Sequence, residues 1–182
     1  MKLEKLKNKI KRTWKDAWFF DDYFEWHPKN SSIGGFLSAG KYFFIFPNPN
    51  KREGNINEKN WALDKFFKML KNLKIRNAHL TDFTKIPLIK EKAIEYWSDK
   101  KKFCLPEQFL KREIEILENE INIIKPLKII IVGKSYKNYI QPIIKKITKN
   151  KIKIDWIYHY ACREPNKWKK IENKLNEIIK EN

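Results

Sequence analysis

The side chains best able to do chemistry in this 182-residue chain gather in one short run, His159-Tyr160-Ala161-Cys162-Arg163. It sets an imidazole, a phenol and a guanidinium in a single loop-sized segment. Imidazole changes charge near neutrality, and a guanidinium is a planar cation that both stacks and binds phosphate. A lone histidine is more often structural than catalytic, so the weight falls on its neighbours. A second polar run, Pro47-Asn48-Pro49-Asn50, follows an apolar segment much earlier in the chain. If the segments preceding the two runs are parallel strands of one sheet, both runs border one cleft at the carboxyl ends of those strands.

Gly133-Lys134-Ser135 has the composition of a phosphate-binding loop. A Walker motif needs another glycine five positions before that Gly, where this chain has Lys128, so an ATPase is excluded. The amides that open the next helix could hold one phosphate, and an ordinary strand-to-helix turn accounts for them equally. Cys104 and Cys162 have no close-spaced partners, and such thiolates build neither a zinc site nor an iron–sulfur cluster. No metal and no cofactor is expected.

Forty Lys and Arg against 22 Asp and Glu leave a formal charge of +18. That attracts a polyanion, and DNA, single- or double-stranded, is the expected partner. A lysine-rich composition with basic surfaces in general fits the same number. From Lys134 to Lys153 there are seven lysines and no acid, a stretch that either faces phosphate or forms a solvated helix face. Neither a signal-peptide core nor an apolar run of roughly 18 residues is present. A cytoplasmic protein that meets no membrane is expected.

The elements that must position these residues read as alternating strands and helices. Leu3, Leu6, Ile10, Trp14 and Ala17 predict an opening amphipathic helix, and a loop-like HPKNSSIGGF follows. YFFIF at 42 to 46 is a strand that the prolines of PNPN end in a rigid loop. Leu63, Phe66, Phe67, Leu70 and Leu73 mark a helix, and NAHLTDF at 77 to 83 a second strand. Pro106 opens a helix carrying Leu110, Ile114, Leu117, Ile121 and Ile124. LKIIIVG at 127 to 133, apolar without alternation, is a strand buried on both faces. Ser135 is placed to cap the next helix, which is expected to kink at Pro142. IKIDWIYH forms a last strand up to His159, and Trp168, Ile171, Leu175 and Ile178 line a closing helix. The pattern predicts one α/β domain over 1–182, a three-layer α/β/α sandwich around a mainly parallel sheet of about four strands.

In this order of elements the chain resembles the uracil-DNA glycosylase superfamily, most closely its single-strand-selective monofunctional branch. That branch carries a motif like Gly-Met-Asn-Pro-Gly after its first strand and one like His-Pro-Ser-Pro-Arg after its last. Here the corresponding stretches are Phe46-Pro47-Asn48-Pro49-Asn50 and His159-Tyr160-Ala161-Cys162-Arg163. Asn48, Pro49, His159 and Arg163 match, whereas the flanking glycines, prolines and serine do not. The family also has an aromatic residue some thirteen positions after its first-motif Asn or Asp, and Trp61 holds that place. The resemblance spans roughly residues 40 to 165.

The resemblance implies hydrolysis of the N-glycosidic bond of a damaged or deaminated base in DNA, without a cofactor. It implies that Asn48 positions the attacking water and that His159 stabilises charge on the departing base. Trp61 would stack on the flipped base and Arg163 fill the gap it leaves; as a bland alternative, Arg163 is an exposed surface charge. Where the family ends its second strand with a base-reading Asn, this chain has Asp82. An ionised carboxylate accepts hydrogen bonds and donates none, so it suits two adjacent base donors and repels a carbonyl such as uracil O4. Pairing of Asp82 with Lys85 or another cation in a structural site is the other reading. The missing motif glycines leave a second functional class open, a non-catalytic nucleic-acid-binding protein that retains the glycosylase fold.

Overall fold

A computed structural model describes residues 41–47, 50–51, 61–75, 78–83, 88–89, 107–160 and 162–181. The expected opening helix and the loop after it lie outside these residues, as do Asn48 and Lys85.

Four strands, β1 (Tyr42–Phe46), β3 (Ala78–Asp82), β5 (Lys128–Val132) and β6 (Lys153–Ile157), form one sheet in the order β3-β1-β5-β6. Every pairing in it is parallel. β1 and β5 are its two central strands, and their side chains are buried throughout. That is why their sequences are continuously apolar rather than alternating. A parallel sheet needs a crossover between successive strands, and helices supply those crossovers: α1 (Trp61–Asn72), α2 (Glu107–Ile124) and α3 (Lys134–Thr148), with α4 (Lys167–Lys180) closing the chain.

The side-chain alternation of the strands divides the core in two. Phe43, Ile45, Ile129 and Ile131 pack with Leu117 and Ile121 of α2 and Ile140 and Ile144 of α3. Phe44, Phe46, Ile130 and Val132 face the other way, with Phe66 and Leu70 of α1 and Ile171 and Leu175 of α4. Helices thus cover both faces, giving the three-layer α/β/α arrangement. Each such fully buried side chain contributes about 1.5–3 kcal/mol. Lys128 is one of several polar residues in this interior: only 2% exposed, it donates from Nζ to the Ile178 carbonyl at 2.8 Å, tying the start of β5 to the end of α4.

Two local expectations are corrected. Asn50 does not end a rigid loop. With Lys51 it forms β2 (Asn50–Lys51), which pairs in parallel with β4 (Leu88–Ile89), a partner too distant in sequence to read from PNPN. Ser135 does not cap α3. The chain turns two residues earlier, at Gly133, whose φ of 120° suits glycine, and no side chain caps the helix. As its apolar stripe predicted, α3 continues as one helix through Pro142, which lies on its exposed side. Among the described residues no helix is long and apolar enough to cross a membrane.

Candidate active-site crevice

From β1 the chain passes to β3 on one side and then returns to β5 on the other. This reversal opens a crevice at the carboxyl ends of β1 and β5, where adjacent connections diverge. Phe46 and Asp82 are paired in register at that edge, and the Phe83 N–H donates to the Phe46 carbonyl. Asp82 is 3% exposed.

The sequence reading places the loops after β1 and β6 next to each other, but β5 stands between those strands. The cleft forms for a different reason: the turn after β6 reaches across the end of β5. The His159 ring lies 6.4 Å from Phe46, edge to face, and stacks on Tyr160 at 4.5 Å. Tyr160 in turn lies 6.0 Å from Phe46 and 5.8 Å from Phe66 of α1. An aromatic wall of Phe46, Phe66 and Tyr160 therefore fixes the imidazole. Gly133 marks the crossing point, and its N–H donates to the Ile157 carbonyl at 2.7 Å.

The turn is held by two further bonds. The Cys162 N–H donates to the His159 carbonyl at 3.0 Å, and Lys167 donates from Nζ to the Cys162 carbonyl at 2.7 Å. Burial pushes the His159 pKa down to about 4; the Asp82 carboxylate opposes the shift and the Lys167 ammonium adds to it. At neutral pH the ring is uncharged, with one nitrogen carrying a donor proton and the other accepting.

Of the residues singled out from sequence, Asp82 and His159 come to the same crevice. Trp61 is the first residue of α1, the helix that supplies Phe66 to the aromatic wall. Arg163 is exposed, four positions beyond His159. Asn48, outside the described residues, directly follows the buried Pro47 at the end of β1. The other histidine of the sheet, His79, is fully buried on the face under α2, 3.7 Å from Glu120. Among the described residues no group of three or more His, Cys, Asp and Glu is arranged to hold a metal ion.

On its far side His159 lines a groove of about 450 Å³ with Lys134, Lys137, Trp156, Tyr158 and Cys162. Tyr160 belongs to the run singled out from sequence, whereas Trp156 and Tyr158 were missed. Trp156 lies on β6, an edge strand, and Tyr158 one residue past its end. Lys134 and Lys137 flank the groove, while Lys145 and Lys146 lie at the other end of α3, roughly 15 Å away along its axis.

Neither a scan against models of known protein families nor a search of curated proteins finds a match to this chain.

Proposed function

We propose that the protein is a monofunctional DNA glycosylase that removes a damaged or deaminated base by hydrolysing its N-glycosidic bond. The observation that carries this reading is the convergence of Asp82 and an uncharged His159 on one crevice at the reversal point of a parallel sheet. In the reaction the bond from C1′ to the base nitrogen breaks, its electron pair leaves with the base, water adds to C1′, and the proton that water loses is balanced by one the departing base takes up. A neutral imidazole is a suitable hydrogen-bond donor to the charge that develops on the departing base, and it brings no proton that must first be removed. Asn48 holds the attacking water, Trp61 stacks on the flipped base, Asp82 reads its edge, and Arg163 occupies the vacated place in the helix. The basic surface holds backbone phosphates of single- or double-stranded DNA.

The test is strand cleavage after abasic-site treatment, over oligonucleotides carrying uracil, hypoxanthine, xanthine and oxidised bases. The wild type is expected to excise at least one. Asn48→Ala and His159→Ala should lose turnover much more than binding, because both act in the transition state. Binding without excision of any base would instead identify a non-catalytic nucleic-acid-binding protein on the same fold.

A further inference from the structure

We infer that the groove beyond His159 holds one unpaired nucleotide of single-stranded DNA, its base against Trp156 and its phosphate between Lys134 and Lys137. The inference rests on DNA as the ligand class proposed above, and not on base excision.

Three features of the groove lead to this occupant. Its volume of about 450 Å³ falls in the range of sites that enclose one small molecule. Its wall is aromatic: Trp156 of β6 and Tyr158, one residue past the end of that strand, meet with ring centroids 5.3 Å apart and planes inclined at 71°. Because β6 is an edge strand, Trp156 packs against the core on one side and remains half-exposed in the groove on the other. A half-exposed indole beside cations is the arrangement on which unpaired bases stack.

The cations are the third feature. Lys134 and Lys137 bring their ammonium groups to 5.9 and 5.7 Å from the Trp156 ring centre. Those distances are at the outer limit of a cation–π contact, so the groups are lightly held and reach a phosphate by small rotations of their stems. Glu164 is the one acid of the lining, and it donates little repulsion because Lys170 bonds its carboxylate at 2.7 Å. Ser135 and Asn138 at the mouth offer both donors and acceptors, which fits any base edge and confers no strong sequence preference.

A base within a duplex has both faces covered by its neighbours and cannot stack on Trp156. The groove therefore selects an unpaired nucleotide. Since His159 is a shared wall, that nucleotide lies next to the crevice.

The experiment is anisotropy of a labelled short oligothymidylate, and of a blunt duplex of the same length, with wild type and variants at low salt. Trp156→Leu should weaken oligothymidylate binding about tenfold, as expected for one lost stacking contact, and leave duplex binding unchanged. Trp156→Phe should keep most of the affinity. Lys134→Gln with Lys137→Gln should reduce the slope of log affinity against log salt by about 0.7 on the single strand, the share of the one phosphate they hold. Photocrosslinking of an iodouracil-containing oligothymidylate to the wild type should give an adduct at Trp156 or Tyr158, a readout that does not depend on any variant folding. Adducts elsewhere, or affinity lost only through the lysines, overturn the inference. Excision by the wild type with Trp156-independent binding would overturn the groove alone. Trp156-dependent binding without excision would overturn the glycosylase reading and leave the groove standing.

Discussion

Asp82 and His159 leave the two opposite edge strands of the sheet, yet the carboxylate of one acts on the imidazole of the other. The coupling exists because the turn after β6 folds back over β5 until His159 meets Phe46, and Phe46 is the register partner of Asp82. Desolvation outweighs the carboxylate, so the imidazole is uncharged at neutral pH despite having an acid in range.

That balance makes stability depend on pH in a definite direction. His159 has a folded pKa of about 4, below its ordinary value of 6.5. Above 6.5 both states are neutral there and the contribution to stability is complete. As pH falls below 6.5 the unfolded chain takes up the proton first, and stability declines until the folded protein also protonates near pH 4. The loss is up to about 3 kcal/mol. Urea unfolding of wild type and His159→Gln at pH 7 and pH 5 measures it: the wild type should lose more stability between the two than the variant. Equal losses would mean that His159 is not desolvated as described.

Gly133 fixes where that turn can go. Its φ of 120° is strained for any other residue, and a Cβ there would stand 2.5 Å from Cδ2 of Tyr136. Gly133→Ala is expected to cost about 1–3 kcal/mol. Adding Tyr136→Ala should remove the clash but not the backbone strain, so part of the loss persists. An unchanged urea midpoint for Gly133→Ala would rule out this account of the turn.

The strands and helices were largely legible because each has a local signature. YFFIF and KIIIV are apolar runs too short for helices, and the stripe from Leu110 to Ile124 keeps helical spacing through to Pro126. The strand order was not legible. Parallel strands of similar apolar content can be arranged in several ways, and nothing local to β1 or β6 says that β5 lies between them. The two-residue β2 and β4 were hidden for the same reason, since each exists only through its partner. Asp82 and His159 were legible as neighbours of one crevice because both stand at or just past strand ends. Trp156 and Tyr158 were missed because an aromatic residue next to a strand end reads as core until its exposure is seen.

Lysine position, rather than lysine number, should govern DNA binding. Lys134 and Lys137 flank the groove, whereas Lys145 and Lys146 are at the far end of α3. Affinity for single-stranded DNA of arbitrary sequence should fall steeply with salt. Replacing Lys134 and Lys137 by Gln should flatten that dependence, by about 0.7 in slope, and the same change at Lys145 and Lys146 should leave it nearly as it was. Equal effects from the two pairs would point to a diffuse charge with no track through the groove.

The sharpest expectation concerns the base that Asp82 would meet. An ionised carboxylate accepts without donating, so it pairs with two neighbouring N–H groups and is repelled by a carbonyl oxygen. Guanine-like edges offer N1–H beside an exocyclic amine, while uracil, like the N1 edge of xanthine, presents one N–H between two carbonyls. Wild type should therefore prefer a modified purine to uracil. Asp82→Asn supplies one donor beside one acceptor, the pattern that a uracil edge complements, and should gain uracil excision relative to other bases by about tenfold, the equivalent of one well-made hydrogen bond. The same substitution removes the carboxylate that opposes desolvation of His159, so the imidazole proton affinity should fall further below its wild-type value. An NMR titration of His159 reads that change independently of any substrate and establishes that the variant is felt in the crevice. Given that shift, a wild type that already favours uracil, with the Asn variant no better, would show that Asp82 tunes His159 but does not read the base.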